Sequence, residues 1–162
     1  MKQYAQYDVV DHKTYNLRMR VVLDTNIIIS GLFWTGTPSL LIKYILQSHT
    51  LCFTSETLGE LEKVLTYEKF KPRIAQLSFT IPAFIDTLTK HAFVVGKPSY
   101  QIQIIQQDPD DNKFLEAALA TCTDVIVSGD IHLLGLKQFE GIPIMRSTAF
   151  LKRFCKHNTT RD

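Results

Sequence analysis

The segment MRVVLDTNIIIS, residues 19–30, decides the fold of this chain. Its apolar, β-branched run stops at the polar residues Asp24, Thr25 and Asn26, and a second apolar run follows at once. Such a run is typical of a parallel strand that is covered on both faces. In open α/β sheets ligands bind beyond the carboxyl ends of the strands. Asp24 is therefore predicted to face a crevice, although a role as a strand-end or helix-capping residue explains it equally well.

The rest of the chain alternates strand-like and helix-like patterns. A second buried-strand run, residues 125–127, also stops at polar residues, Ser128, Gly129 and Asp130. Further strands are predicted at 51–53, 93–95 and 142–145, and amphipathic helices lie between them. This alternation predicts one α/β domain, a three-layer α/β/α sandwich with a mainly parallel central sheet.

Several local details also follow from the sequence. Residues 31–37 are predicted to form a loop, and the residues expected to cap the helices after it are Thr37, Ser55 and Ser147. Leu40 is placed on the core-facing stripe of its helix, and Cys122 on the core-facing stripe of another.

Length and composition set broad limits. The 162 residues suit one domain, and the net charge of +2 does not by itself indicate nucleic-acid binding. Three cysteines without CxxC spacing argue against a disulfide framework or a zinc ribbon and favour a reducing cytoplasm. No apolar run is long enough to span a membrane, and no signal peptide is apparent. We predict an N-terminal extension at 1–18, a candidate for disorder, one α/β domain at 19–156 and a tail at 157–162.

Acidic residues are expected to converge at one edge of this sheet. Asp24 and Asp130 follow strands, Asp111 begins a helix, and either Glu60 or Glu62 lies on a helix flank, between which helical geometry does not choose. Two like charges 4 Å apart repel by about 4 kcal/mol at an effective dielectric of 20. A multivalent cation would relieve this repulsion, and oxygen ligands favour Mg²⁺ or Mn²⁺. Replacing Asp24 by Asn is accordingly expected to leave the melting temperature unchanged or higher.

Four segments resemble the PIN-domain ribonucleases, and most closely the bacterial PIN proteins assigned as toxins of toxin–antitoxin pairs. They are VVLDTNIIISGL at 21–32, TSETLGELEKVL at 54–65, DPDDNKFLEAAL at 108–119 and VIVSGDIHLL at 125–134. The resemblance implies a PIN-like fold in which four acids are catalytic and bind Mg²⁺ or Mn²⁺, namely Asp24, Glu60, Asp111 and Asp130. It also implies that Asn26 and Ser128 position ligands, while Asp108 and Asp110 are alternatives for the third acid.

The activity implied by the resemblance is hydrolysis of single-stranded RNA by a metal-activated water in the cytoplasm, with an antitoxin protein and a second copy of the chain as candidate partners. Because an acidic site repels RNA, cations must help to bind it. The candidate nucleic-acid contacts are Trp34, Lys69, Lys71, Arg73 and Lys113. Two alternatives stay open: a phosphatase with an aspartyl nucleophile, and an inactive PIN-like module that binds RNA or protein.

Overall fold

The computed structural model describes residues 18–155. The predicted tail, and all but the last residue of the predicted N-terminal extension, lie outside the described residues. Within 18–155 no single helix has the length and apolar composition needed to cross a membrane, and one pair of consecutive helices meets that test only together, with a bend of 104° between them.

Strands and helices alternate along most of the chain. A 3₁₀ turn precedes the fourth helix and another precedes the sixth. In order the elements are β1 (Arg20–Leu23), α1 (Thr25–Phe33), α2 (Thr37–Ser48), β2 (Thr50–Thr54), α3 (Ser55–Leu65), α4 (Lys71–Ile74), α5 (Ile81–His91), β3 (Ala92–Val95), α6 (Asn112–Ala120), β4 (Val125–Val127), α7 (Ile131–Gly135), β5 (Gln138–Phe139), β6 (Ile142–Met145) and α8 (Ser147–Phe154).

The six strands form one sheet in the order β3-β2-β1-β4-β6-β5. Every neighbouring pair is parallel except β5 and β6, which form a hairpin. The prediction of an α/β fold with a mainly parallel sheet is therefore confirmed. Val21 of β1 lies opposite Leu51 of β2 and Val125 of β4, so β1 is central. The carboxyl ends of β1 and β4 consequently meet at one edge, which brings Asp24 next to Ser128.

Two separate apolar clusters cover the two faces of the sheet, because successive strand residues point to opposite sides. Val21 and Val125 belong to the cluster that includes residues of α1, α2, α3 and α8, whereas Val22 and Ile126 belong to the cluster formed with α6 and α7. Each of these four side chains is at most 1% exposed. Full burial of such a side chain stabilises the fold by about 1.5–3 kcal/mol. The three layers follow from these two buried faces.

The predicted loop at 31–37 is mostly helical. Helix α1 begins directly after β1 and continues to Phe33, which leaves only residues 34–36 as the connection to α2. Gly31 permits close packing of the two helices, because a Cβ at this position would lie 2.8 Å from the carbonyl oxygen of Pro38. The second apolar run of the opening segment is thus the buried face of a helix.

The predicted helix caps are each displaced by one residue. Thr37, Ser55 and Ser147 are the first residues of their helices, and the residues before them are the N-caps. Thr54 provides the cap of α3, with a side-chain oxygen that accepts from the backbone N–H of Thr57 at 3.2 Å. At α3 both Thr54 and Ser55 carry a hydroxyl that could cap the helix, and the register of β2 decides in favour of Thr54.

Two residues expected in the core are exposed. Leu40 is 60% exposed because α2 turns Leu41, Ile42 and Ile45 inward instead. Cys122 follows the end of α6 with a φ of 49°, which directs its side chain to solvent.

Candidate active site

Asp24 joins the ends of the two central strands. It is 4% exposed, and its Oδ1 accepts from the backbone N–H of Ile27 at 2.9 Å, which caps α1. Its Oδ2 accepts from the hydroxyl of Ser128 and from the backbone N–H of Gly129 at 3.1 Å. Asp24 therefore does hold a helix cap while it faces the sheet edge. Three donors depend on this carboxylate and oppose the repulsion behind the expected neutral or stabilising Asp24→Asn change, which stays a prediction.

Asp130 is held in a similar way at the start of α7. Its Oδ1 accepts from the backbone N–H groups of His132 at 2.7 Å and Leu133 at 3.1 Å. Its own N–H donates to Ser128 Oγ at 2.9 Å, so the fully buried Ser128 connects it to Asp24. Burial favours a higher pKa for Asp130, but the N–H donors of Leu133 and His132 outweigh it and hold the pKa below its ordinary value.

Asp111, at the start of α6, has a very different environment. Its side chain makes no capping bond, and its Oδ2 is buried without a hydrogen-bond partner. Burial, followed by the negative charges of Asp130, Asp108 and Asp24, raises its pKa from 3.8 to about 7. The three acids predicted at strand and helix ends are thus close enough to interact. The charge of Asp108 is thus one cause of the raised pKa of Asp111, whereas Asp110 is exposed.

Glu60 of α3 lies against α6, where its partner Lys113 is two residues after Asp111. Its side chain is 28% exposed, and its Oε2 lies 2.8 Å from Nζ of Lys113, which is 17% exposed. The contact lacks the alignment of a hydrogen bond, so this buried oxygen has no hydrogen-bond partner. Glu62 is exposed, which distinguishes the two glutamates that helical geometry could not separate. Lys113, predicted to contact nucleic acid, is paired with Glu60, and its contact with nucleic acid stays a prediction.

The donor set of this region fits a hydrated divalent cation. Its ligand atoms are all oxygens. The buried Oδ2 of Asp111 has no hydrogen-bond partner, and Oε2 of Glu60 makes only the ion pair with Lys113. Within residues 18–155, no three His, Cys, Asp or Glu side chains are arranged to hold one ion together. Mg²⁺ commonly keeps several waters and needs only one or two carboxylates. The residues therefore fit an ion bound partly through water better than one enclosed by protein.

A basic and aromatic groove of about 440 Å³, which we call the Trp34 groove, adjoins this region. Its lining includes Asn26, Trp34, Lys69 and Arg73. The guanidinium carbon of Arg73 lies 4.3 Å from the ring centroid of Trp34, which is 45% exposed. The groove thus brings together four residues that were predicted separately as site residues. One of them, Asn26, lies two positions after Asp24. Lys71 is outside the groove and pairs with Glu68 at 2.6 Å.

Two buried polar residues of α6 escaped the sequence analysis. Asn112 Oδ1 accepts from the N–H groups of Ile104 at 3.1 Å and Ile105 at 2.9 Å, and its Nδ2 donates to the carbonyl of Ile105 at 2.8 Å. Glu116 accepts from the N–H of Ile102 at 2.8 Å. Their spacing of four residues on a helix otherwise rich in buried apolar residues was the available signal, since it places both on one face.

Comparisons with known proteins agree with this fold. A PIN-domain family model matches residues 20–132. An uncharacterised protein of Methanocaldococcus jannaschii is 25% identical over 128 residues, which cover 77% of this chain and 79% of the relative.

Two solved structures are also similar. VapBC2 from Rickettsia felis, bound to a DNA fragment from their promoter, aligns with a TM-score of 0.52 and 13% identity over 79% of this chain and 98% of that one. PAE2754 from Pyrobaculum aerophilum aligns with a TM-score of 0.50 and 15% identity over 85% and 90%. At such identities these two show the fold alone. The family match, which spans most of the chain, establishes that this protein belongs to the PIN-domain family of nucleases.

Proposed function

We propose that this protein is a metal-dependent endoribonuclease that hydrolyses single-stranded RNA. The observation that carries the proposal is the half-buried carboxylate of Asp111, which feels the charges of three other aspartates, keeps one buried oxygen without a hydrogen-bond partner and has a pKa of about 7. A folded chain retains such a costly arrangement where a ligand of opposite charge compensates it. PIN domains generally use divalent cations, and Mg²⁺ or Mn²⁺ suits these oxygen donors.

In this proposal Asp24, Glu60, Asp111 and Asp130 hold the cation directly or through water. A bound divalent cation lowers the pKa of a coordinated water and neutralises phosphate oxygens. Ser128 orients Asp24 and the N-terminal end of α7, while the N–H groups of α7 keep Asp130 ionised near neutral pH. Since water is the nucleophile, the products carry a 5′-phosphate and a 3′-hydroxyl.

The Trp34 groove supports a single-stranded substrate. The exposed indole of Trp34 offers a face on which an unpaired base can stack, and such stacking contributes about 1–3 kcal/mol per base. Lys69 and Arg73 line the same groove and can neutralise phosphates. Asn26, exposed in the first turn of α1, is placed to orient the strand between this groove and Asp24.

We further propose a toxin role in the cytoplasm, with an antitoxin protein as partner and a second copy of the chain as a candidate dimer partner. The resemblance of the four acidic segments to toxin-type PIN proteins supports this role. The similar structure from Rickettsia felis is named as a VapBC2 assembly on promoter DNA, which adds support from fold alone.

Of the alternatives, the inactive module is favoured by one observation, the absence of a three-ligand cluster among residues 18–155. The phosphatase needs a freely reactive aspartyl nucleophile, but both oxygens of Asp24 already accept hydrogen bonds. Its pattern also needs a second aspartate where Asn26 stands.

Incubation of purified protein with Mn²⁺, a 5′-labelled unstructured RNA and, separately, an aryl phosphate tests the proposal. We expect cleavage of the RNA alone, with 5′-phosphate products. Asp111→Asn should reduce the rate at least about 100-fold, as expected when a charge that acts on the transition state is lost. The matched control is Asp86→Asn, which changes an exposed acid of α5 outside the acidic site and should retain activity.

Failure of the wild type to cut RNA while binding it would favour the inactive module, and hydrolysis of the aryl phosphate alone would favour the phosphatase. For the toxin role, expression of the wild type should slow bacterial growth, whereas Asp111→Asn should not. Normal growth with abundant wild-type protein would overturn the toxin role and leave the nuclease proposal intact.

A further inference from the structure

A second cavity, of about 460 Å³, lies between α6 and the irregular segment 97–107, which we call the strap. It shares no lining residue with the Trp34 groove. Its volume is within the range of 300–1,000 Å³ that is usual for small-ligand pockets. We call it the strap pocket.

The wall formed by the strap is fixed by specific contacts. The buried side chains of Asn112 and Glu116 bind backbone groups at three strap positions, 102, 104 and 105. At one end of the strap, Lys97 pairs with Glu56 of α3 at 3.2 Å. A loop without strands or helices thus gains a defined path, because buried groups of α6 satisfy its backbone donors.

The chemistry of the strap pocket favours an uncharged polar ligand. Its two lysines, Lys97 and Lys113, are already paired with Glu56 and Glu60. Glu116 is occupied by the strap backbone, and Asp110 adds an exposed negative charge that would repel phosphate. An anion therefore has little to bind here.

The groups that remain free are three glutamine amides, whose residues are exposed and whose side chains make no hydrogen bond within residues 18–155. They belong to Gln101, Gln103 and Gln106. Ile102 and Pro109 contribute apolar surface to the same lining. An amide offers one acceptor and two donors, and apolar surface accommodates a flat ring. Together these groups match the polar edge and apolar faces of a nucleobase.

The position of the strap pocket connects it to the acidic site. Asp110 and Asn112, which line it, are the sequence neighbours of Asp111. Asn26, which lines the Trp34 groove, is two residues from Asp24, whose charge acts on Asp111. The strap pocket is therefore lined by the residues on both sides of Asp111, and the Trp34 groove by a residue in the first turn after Asp24.

We infer that the strap pocket binds one nucleobase of the RNA and reads its edge through the amides of Gln101, Gln103 and Gln106. The inference rests on the proposed function and deepens it, because it assigns base preference to a site different from the Trp34 groove. The basic groove binds any unpaired strand through stacking and charge, while the strap pocket discriminates between bases.

Cleavage of a random-sequence RNA pool with Mn²⁺, with the cut sites sequenced, tests the inference. The wild type should show a base preference at one position beside the cut. The triple variant Gln101→Ala/Gln103→Ala/Gln106→Ala should lose most of that preference. Because the three amides make no hydrogen bond among the described residues, its melting temperature should equal that of the wild type. Gln76→Ala, an exposed glutamine outside both cavities, is the matched control.

Fluorescence anisotropy in EDTA with labelled eight-nucleotide RNA oligomers of A, C, G or U measures binding without cleavage. The wild type should bind one oligomer at least about threefold more tightly than the others, and the triple variant should bind all four alike. If the wild type binds one oligomer selectively but does not cut RNA, the nuclease proposal is overturned and the inference about the strap pocket is supported. Unchanged preference in the triple variant, or no preference in the wild type, would overturn the pocket and leave the nuclease untouched.

Discussion

The acidic site has two halves that differ in how the fold uses them. In the strand-end half, Asp24 and Asp130 accept hydrogen bonds from backbone N–H groups and are linked by Ser128. In the helix half, Asp111 and Glu60 each retain a buried oxygen without a hydrogen-bond partner. Because its hydrogen bonds stabilise the fold, the strand-end half is explained by folding alone. In the second half Asp111 caps no helix, and its partnerless oxygen contributes nothing evident to folding, so it is the stronger indication of a function that needs negative charge.

The largest effect on stability is expected in the strand-end half. Asp24→Ala leaves the donors of Ile27, Ser128 and Gly129 without their acceptor, and each such loss costs about 1–3 kcal/mol. Relief of repulsion with Asp111 offsets part of this cost. We expect the free energy of unfolding to fall by about 3 kcal/mol, which lowers the melting temperature by about 6–12 °C. Calorimetry without metal measures this, and an unchanged melting temperature would remove the distinction between the halves.

In the helix half, removal of a carboxylate is expected to raise the free energy of unfolding. Because the pKa of Asp111 is about 7 in the folded protein and 3.8 ordinarily, the folded state binds the extra proton between these values. The free energy of unfolding should therefore decline as pH rises from about 4 to about 7, and Asp111→Asn should abolish that decline. Thermal melts without metal should show the variant more stable than the wild type at pH 8 and equal at pH 4. Lower stability of the variant at pH 8 would contradict this interpretation.

Cation binding should depend on the same group. Since Asp111 must lose its proton to bind Mn²⁺, the rise in melting temperature on addition of Mn²⁺ should grow as pH increases through about 7. In Asp111→Asn the rise should be absent or small at every pH. A rise that is equal at pH 6 and pH 8 in the wild type would show that Asp111 is not a ligand.

The smallest effect is expected at Lys113, which neutralises Glu60. Lys113→Met removes a half-buried ion pair, so we expect a loss of about 1 kcal/mol of stability without metal. It also frees Glu60, and Mn²⁺ should bind a few-fold more tightly by calorimetric titration. Lys71→Met, which breaks an exposed pair with Glu68, is the matched control and should change neither quantity. Weaker Mn²⁺ binding by Lys113→Met would mean that the lysine supports the site instead of competing for it.

Much of the fold was evident in the chain itself. The strands at residues 125–127 and 142–145 have the predicted bounds because short apolar runs between polar residues define them locally. Helix caps were each misplaced by one residue. At α3 the adjacent hydroxyl residues Thr54 and Ser55 compete, whereas the caps of α2 and α8 are Gly36 and Arg146, which make no side-chain cap bond. The nearby Glu60 and Glu62 could not be separated by periodicity, because both lie on flanks of the same stripe.

The sequence by itself determined the alternation of strands and helices, and with it the arrival of Asp24, Asp111 and Asp130 at one sheet edge. Only the tertiary structure decided which of these acids are satisfied. The hydroxyl that binds Asp24 comes from a residue 104 positions away, and the cation that faces Glu60 comes from another helix. Periodicity reports contacts within a few residues, whereas the hydrogen-bond partner and the charge next to a buried carboxylate are set by packing between distant segments.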